Sequence, residues 1–167
     1  MVTLVSSSVS VNTPALECPV LINELAAAFG VQCVVVGIDS LRDADGEWRV
    51  RSHTGDPAKT QALRKRTLDW VVEAQQRGAG EIVLNCMGND GVRTGYDLEQ
   101  LRAVRALCRV PLVASGGAGS AQHFADVFLD ADVDAALAAS VFHSGAVRIP
   151  ELKTALRAQG IEVRDVA

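Results

Sequence analysis

The chain predicts an α/β fold built on a parallel sheet, and three observations carry that reading. Short apolar runs of strand length open near residues 33, 81, 111 and 134, each followed by apolar residues at helical spacing. This alternation implies parallel strands joined by right-handed crossovers. Of the 167 residues, 49% are hydrophobic but only 4% aromatic, which suits small-residue packing of helices on a buried sheet. Finally, Asp39, Asp90, Ser115-Gly116-Gly117 and Ala139-Ser140 fall where strands end, the place at which such folds gather ligand groups.

Taken in order, Met1 to Val11 alternates apolar and Ser/Thr positions, as a strand would, and Asn12-Thr13-Pro14 is a turn and helix entry. Leu21, Leu25, Ala28 and Phe29 predict one face of a helix that starts near Pro19 and stops at Gly30. Cys33 to Ile38 reads as a buried strand with Asp39 and Ser40 at its carboxyl end. Asp45-Gly46, flanked by Trp48 and Val50, predicts a hairpin within a loop insertion over residues 41–55. Leu63, Thr67, Trp70, Val71 and Ala74 then predict a helix running to Arg77, with Arg64-Lys65-Arg66 as its solvated face. Glu81 to Cys86 is a strand and residues 87–95 a polar loop. Leu98, Leu101, Val104 and Cys108 mark the next helix, Ala135 to Ala139 the last strand, and Ile149, Leu152 and Leu156 a closing helix with Gly160 as its stop.

The net charge is −4 and no basic stripe exists, which excludes the footprint of a nucleic-acid binder. Apolar runs stay at strand length, so no membrane span is expected, and no basic residue precedes Arg42 to begin a secretory signal. Cys18, Cys33, Cys86 and Cys108 lack C-x-x-C spacing and read as reduced, buried thiols of a cytoplasmic protein. The histidines fall at no metal-ligand spacing. Neither metal nor cofactor is expected.

The most informative stretch is Val110 to Gly119, V-P-L-V-A-S-G-G-A-G. A buried strand runs into glycines that let the backbone approach a ligand, and Ser120 caps a helix whose apolar face is Phe124, Val127 and Phe128. Free N–H groups converging there suit a phosphate, although an empty glycine-rich turn fits this segment equally well. Ala139-Ser140, a second small-residue strand end before a short helix, favours the phosphate, held through backbone N–H groups of Gly116, Gly117, Ala139 and Ser140 without an arginine. Asp39 and Asp90 would face one cavity and divide acid and base roles; the plainer uses are a helix cap for Asp39 and an Asn-Asp-Gly turn for Asp90, and the balance favours function for Asp39 while spacing leaves Asp90 open. Asn12, Asn85 and Thr54 could reach a ligand or close local turns. Cys86 and His143 read as structural.

These residues resemble a known family. V-S-V-N-T-P-A-L at 9–16, F-G-V-Q-C-V-V-V-G-I-D-S at 29–40, R-G-A-G-E-I-V-L-N at 77–85, D-G-V-R-T-G-Y-D-L-E-Q-L at 90–101, V-A-S-G-G-A-G at 113–119 and A-A-L-A-A-S-V-F-H at 135–143 are similar to the cyclase subunit of imidazole glycerol phosphate synthase, a histidine-biosynthesis lyase. The resemblance implies a (βα)8 TIM-type barrel that takes ammonia from a glutaminase partner and a substrate with a phosphate at each end. It closes the imidazole ring, releasing imidazole glycerol phosphate and an aminoimidazole carboxamide ribotide. It makes Asp39 the general acid and places Asp90 and Gly91 in the strand-six loop. One phosphate goes to Gly116, Gly117, Ala139 and Ser140, with Ser115 and Asn85 beside it, and part of the other site is Asn12.

Two departures bear on this reading. The family's general base, a loop lysine and the first half of the opposite phosphate site have no counterpart here, so residues 1–167 would form a single incomplete barrel domain. It would run from a fourth-strand remnant to the eighth helix, roughly the last four to five βα units. Ser7 and Ser8 stand where the family places an acidic residue and a lysine near its ammonia entrance. Half a barrel exposes unpaired edges, so self-association that closes a barrel-like sheet, or else aggregation, is expected. The alternatives are a phosphate-binding half-barrel without catalysis and a gene fragment.

Overall fold

A computed structural model describes residues 8–56 and 58–164. Its seven-stranded sheet has the order β4-β3-β2-β5-β6-β7, with β1 also on β2. The strands are β1 (Val9–Val11), β2 (Val34–Arg42), β3 (Trp48–Ser52), β4 (Gln61–Arg66), β5 (Glu81–Cys86), β6 (Leu112–Ser115) and β7 (Ala135–Ala136). The helices are α1 (Thr13–Glu17), α2 (Val20–Phe29), α3 (Thr67–Gln76), α4 (Leu98–Arg105), α5 (Ala121–Ala131), α6 (Ser140–His143) and α7 (Ile149–Ala158). The α/β expectation is borne out, with parallel pairing dominant through β1-β2, β2-β5, β5-β6 and β6-β7. Among the described residues β1 pairs only with β2 and β7 only with β6, so the sheet is open.

Packing follows strand alternation. On β5 Ile82, Leu84 and Cys86 are buried, whereas Glu81, Val83 and Asn85 are only half-buried, because helices cover one face of the strand and the other is left open. Trp70 and Val71 of α3, Leu101 and Val104 of α4 and Phe124 and Val127 of α5 complete one apolar core. The Ser120 hydroxyl accepts from the His123 N–H and caps α5, as its position before the helix predicts.

The sheet is not wholly parallel, because β2, β3 and β4 form an antiparallel meander. The turn expected at Asp45-Gly46 is present, with the Gly46 N–H donating to the Asp43 carbonyl at 2.9 Å. What sequence spacing misassigns is residues 61–66. Leu63 and Thr67 stand four apart, as on a helix, but pairing with β3 overrides that period, and Arg64-Lys65-Arg66 lies on β4 rather than on a helix face. Lys65 turns inward, 4.3 Å from the Trp70 ring centroid and 2.7 Å from Glu73. Arg64 and Arg66 point outward on an edge strand, where charge discourages further pairing.

Three smaller corrections have local causes. The buried face of α2 is Ile22 with Leu25 and Ala26, while Ala28 and Phe29 are exposed. The helix is rotated because the Ala26 methyl seats against Gly78, only 2.7 Å from where a Cβ there would stand. Strand β7 spans two residues, not five, and Leu137 is exposed beyond it. Cys86 and Cys108 are buried, but Cys33 is half-buried and Cys18 exposed, so burial is general only to the sheet-and-helix interior. Of the strand expected over Met1 to Val11, Val9–Val11 is seen; residues 1–7, including Ser7, lie outside the described residues, and Ser8 is exposed.

Candidate active site

Asp39 lies on β2 opposite Asn85 of β5 and Arg51 of β3, so three strands fix its position. It is almost wholly buried and takes three hydrogen bonds. Asn12 Nδ2 donates to Oδ2 at 2.7 Å, Thr54 Oγ1 to Oδ2 at 2.5 Å and Asn85 Nδ2 to Oδ1 at 2.8 Å. Asn12 reaches it by lying over Gly37, two residues earlier on the same strand face. Thr54 follows His53, which has a left-handed φ of 58° and donates its N–H to Thr13 Oγ1 at 2.9 Å. Loop and helix entry thus close over one carboxylate.

The cation nearest in register is turned elsewhere. Arg51 bonds to Asp43 and to the carbonyls of Arg49 and Val50. Arg49 bonds to Asp43 and Asp45, and these bonds hold both carboxyls below their usual range, Asp45 at about 2. Among the described residues no cation contacts Asp39; its partners are two amides and a hydroxyl. The Asn12 Oδ1 acceptor is buried without a partner.

Beside this cluster a cavity of about 420 Å³ is lined by Asn85, Asp90, Gly91, Ser115, Gly116, Gly117, Ala139 and Ser140, with Ala118, Leu137 and Ala138. The structure therefore brings together eight of the ten residues singled out by sequence. Asp39 and Asn12 are not in its lining, which corrects the expectation that Asp39 and Asp90 face one cavity. Asn85 stands between them, lining the cavity while donating to Asp39. Asp90 is exposed in the turn after β5, where its N–H donates to the Met87 carbonyl. His143 is exposed on α6, and burial by the core pushes the Cys86 thiol far up, consistent with a packing role.

The glycines answer first to packing. Gly117 has φ +112°, and a Cβ there would stand 2.1 Å from the Gly95 carbonyl oxygen; the Gly95 N–H donates to the Gly117 carbonyl at 2.9 Å. A Cβ at Gly119 would meet the Arg93 carbonyl at 2.0 Å. Two loops, 87–95 and 116–119, are pressed main chain to main chain. Asn89 Nδ2 adds a bond to the Gly95 carbonyl at 2.9 Å.

One neighbour, Arg93, escapes the sequence reading, and another, Thr54, is named without its partner. Thr54 is named there only as one of several polar residues, and nothing in its local sequence reveals the bond to Asp39 across 15 residues. Arg93 is absent from it. Its guanidinium donates to Ser140 Oγ at 3.2 Å and to the Ser140 carbonyl at 3.3 Å. The available signal was a lone cation inside a glycine-bounded loop that ends beside the cavity.

A family model described as histidine biosynthesis protein matches residues 1–148. The chain belongs to that family. Within it, the chain is 76% identical over 160 residues to imidazole glycerol phosphate synthase subunit HisF of Xanthomonas euvesicatoria pv. vesicatoria (strain 85-10), covering 96% of this chain and 62% of that protein. It is 73% identical over 161 residues to the subunit of the same name from Xylella fastidiosa (strain M12), covering 96% and 63%. The resemblance read from the sequence is borne out. The chain spans a little under two thirds of the length of the curated relatives it matches. No described helix is long and apolar enough to cross a membrane.

Proposed function

We propose that this chain is the carboxyl-terminal part of an imidazole glycerol phosphate synthase cyclase. It serves ammonia-dependent ring closure and cleavage of a bisphosphate ribulosyl-formimino carboxamide ribotide in the cytoplasm. Its open, mostly parallel sheet supports reading it as one incomplete (βα)8 domain, from a fourth-strand remnant to the eighth helix. Asp39 is the general acid. The cavity between β5, β6 and β7 takes one substrate phosphate through Gly116, Gly117, Ala139 and Ser140, with Asp90, Gly91, Ser115 and Asn85 around it. Asn12 serves the other end. A glutaminase supplies the ammonia, and the free edges of β1 and β7 drive self-association.

One observation carries the catalytic assignment. Asp39 is a buried carboxylate at a strand end, held by two amides and a hydroxyl and by no cation among the described residues, whereas Asp43 is locked to two guanidiniums. Turnover of the natural substrate with ammonium salts, with and without Asp39→Asn, tests it. A fall of roughly 10²- to 10⁴-fold is expected for loss of a general acid, and turnover that survives the substitution overturns the role. Light scattering at micromolar concentration tests self-association, against which a monodisperse monomer would count.

A second reading, phosphate binding without turnover, is favoured by a specific observation: Asp39 does not line the cavity. Calorimetry showing bisphosphate binding alongside absent turnover would select it.

A further inference from the structure

We propose that Arg93 is the cationic ligand of the phosphate held in the β5-β6-β7 cavity, kept in place at the rim by Ser140. This rests on the phosphate reading of that cavity.

Three independent features converge on Arg93. The first is charge. Asp90 is the one ionisable side chain in the cavity lining, and an exposed carboxylate beside a bound phosphate repels it unless a cation stands near. Arg93 is that cation, and among the described residues it has no carboxylate partner. The second is backbone. Arg93 has a φ of +61°, a conformation that non-glycine residues adopt at a cost and that persists where surrounding structure enforces it. Here the enforcement is visible, because the Arg93 carbonyl is packed against Gly119 closely enough to exclude any side chain there. From this left-handed turn the side chain reaches Ser140, a residue of the cavity lining.

The third is hydrogen-bond inventory. A guanidinium has five N–H donors, and the two bonds to Ser140 use Nε–H and one from Nη2. The remaining donors are unspent and form the fork that matches a phosphate. The Ser140 hydroxyl accepts from Arg93 and so keeps its own proton to donate. Arg93 and Ser140 together therefore offer a positive charge with several N–H and O–H donors, the chemistry that suits an anion.

The test is titration with inorganic phosphate, followed through the amide resonances of Gly117 and Ser140, for the wild-type chain, Arg93→Gln, Arg93→Lys and Arg93→Gly. Affinity is expected to fall at least tenfold in Arg93→Gln and to be partly restored in Arg93→Lys, which returns the charge without the fork. Arg93→Gly separates ligand binding from architecture: glycine relaxes the positive φ, so its thermal midpoint is expected to match or exceed the wild type while phosphate affinity falls as in Arg93→Gln. Wild-type binding that is unchanged in Arg93→Gln overturns the role of Arg93 and leaves the cavity reading standing. Absence of phosphate-dependent shifts in the wild type overturns both.

Discussion

Thr54 Oγ1 lies 2.5 Å from Asp39 Oδ2, and of the three groups that hold this carboxylate it is the one able to reverse its hydrogen bond. Asn12 and Asn85 present amide N–H groups to Asp39, which donate and cannot accept, whereas a hydroxyl does either. In the general-acid role proposed for Asp39, Thr54 is the partner that could rotate to accept from the carboxylic acid. Thr54→Val is therefore expected to lower ammonia-dependent turnover by roughly 10- to 100-fold, the scale of a hydrogen bond to a charged group. Phosphate affinity at the neighbouring cavity should stay unchanged, and Thr54→Ser should recover most of the turnover. Equal losses in the Val and Ser variants would point to packing instead.

The contact between Gly117 and Gly95 makes a second expectation. An alanine at 117 meets a backbone carbonyl that cannot step aside and must also hold a positive φ, so Gly117→Ala should destabilise by about 2–5 kcal/mol, combining overpacking with backbone strain. Gly46 has a φ of +86° with nothing within 4 Å, and Gly46→Ala should cost only about 1–2 kcal/mol. Urea midpoints of the two variants make the comparison.

Trp70 is fully buried, yet its indole Nε1 has no hydrogen-bond partner. Trp70→Ala should destabilise by about 3–5 kcal/mol. Trp70→Phe should lose much less, because it removes a buried unpaired N–H whose desolvation is itself worth about 1–3 kcal/mol. Denaturant unfolding reads both.

Acid acts on the hairpin. The Arg49 side chain, bonded to Asp45, lowers that carboxyl from its ordinary 3.8 to about 2. A carboxyl lowered on folding contributes stability that is full above its unfolded value and lost as pH falls toward the folded one. Stability should therefore decline between about pH 4 and pH 2, and Arg49→Gln should flatten that decline. Urea midpoints across this range, with carboxyl resonances of Asp45, measure it.

What was legible in the sequence is what local periodicity and strand ends encode. Strand β5, helix α4, the Ser120 cap and the clustering of Gly116, Gly117, Ala139 and Ser140 follow from spacing and from where parallel strands terminate. Leu63 to Arg66 did not, because a period of four within so short a run cannot register pairing with β3. Neither did Thr54 and Arg93 as site neighbours. Each is brought to its partner by a left-handed residue, His53 or Arg93 itself, whose conformation depends on contacts from Thr13 and Gly119 far along the chain. The separation of Asp39 from the cavity was hidden for the same reason: only the pairing of β2 with β5 puts Asn85 between them.

The joined main chains of residues 87–95 and 116–119 carry an evolutionary implication. A wall in which Gly117 and Gly119 leave no room for a Cβ offers almost no single-substitution routes to a new ligand preference. Variation that retunes the cavity is channelled to lining positions outside that wall, such as Asn85, Asp90, Ser115, Leu137 and Ser140, and to Arg93 beside Ser140. Any graft of this site must therefore move the two loops as a unit, together with the Ala139–Ser140 strand end that faces them.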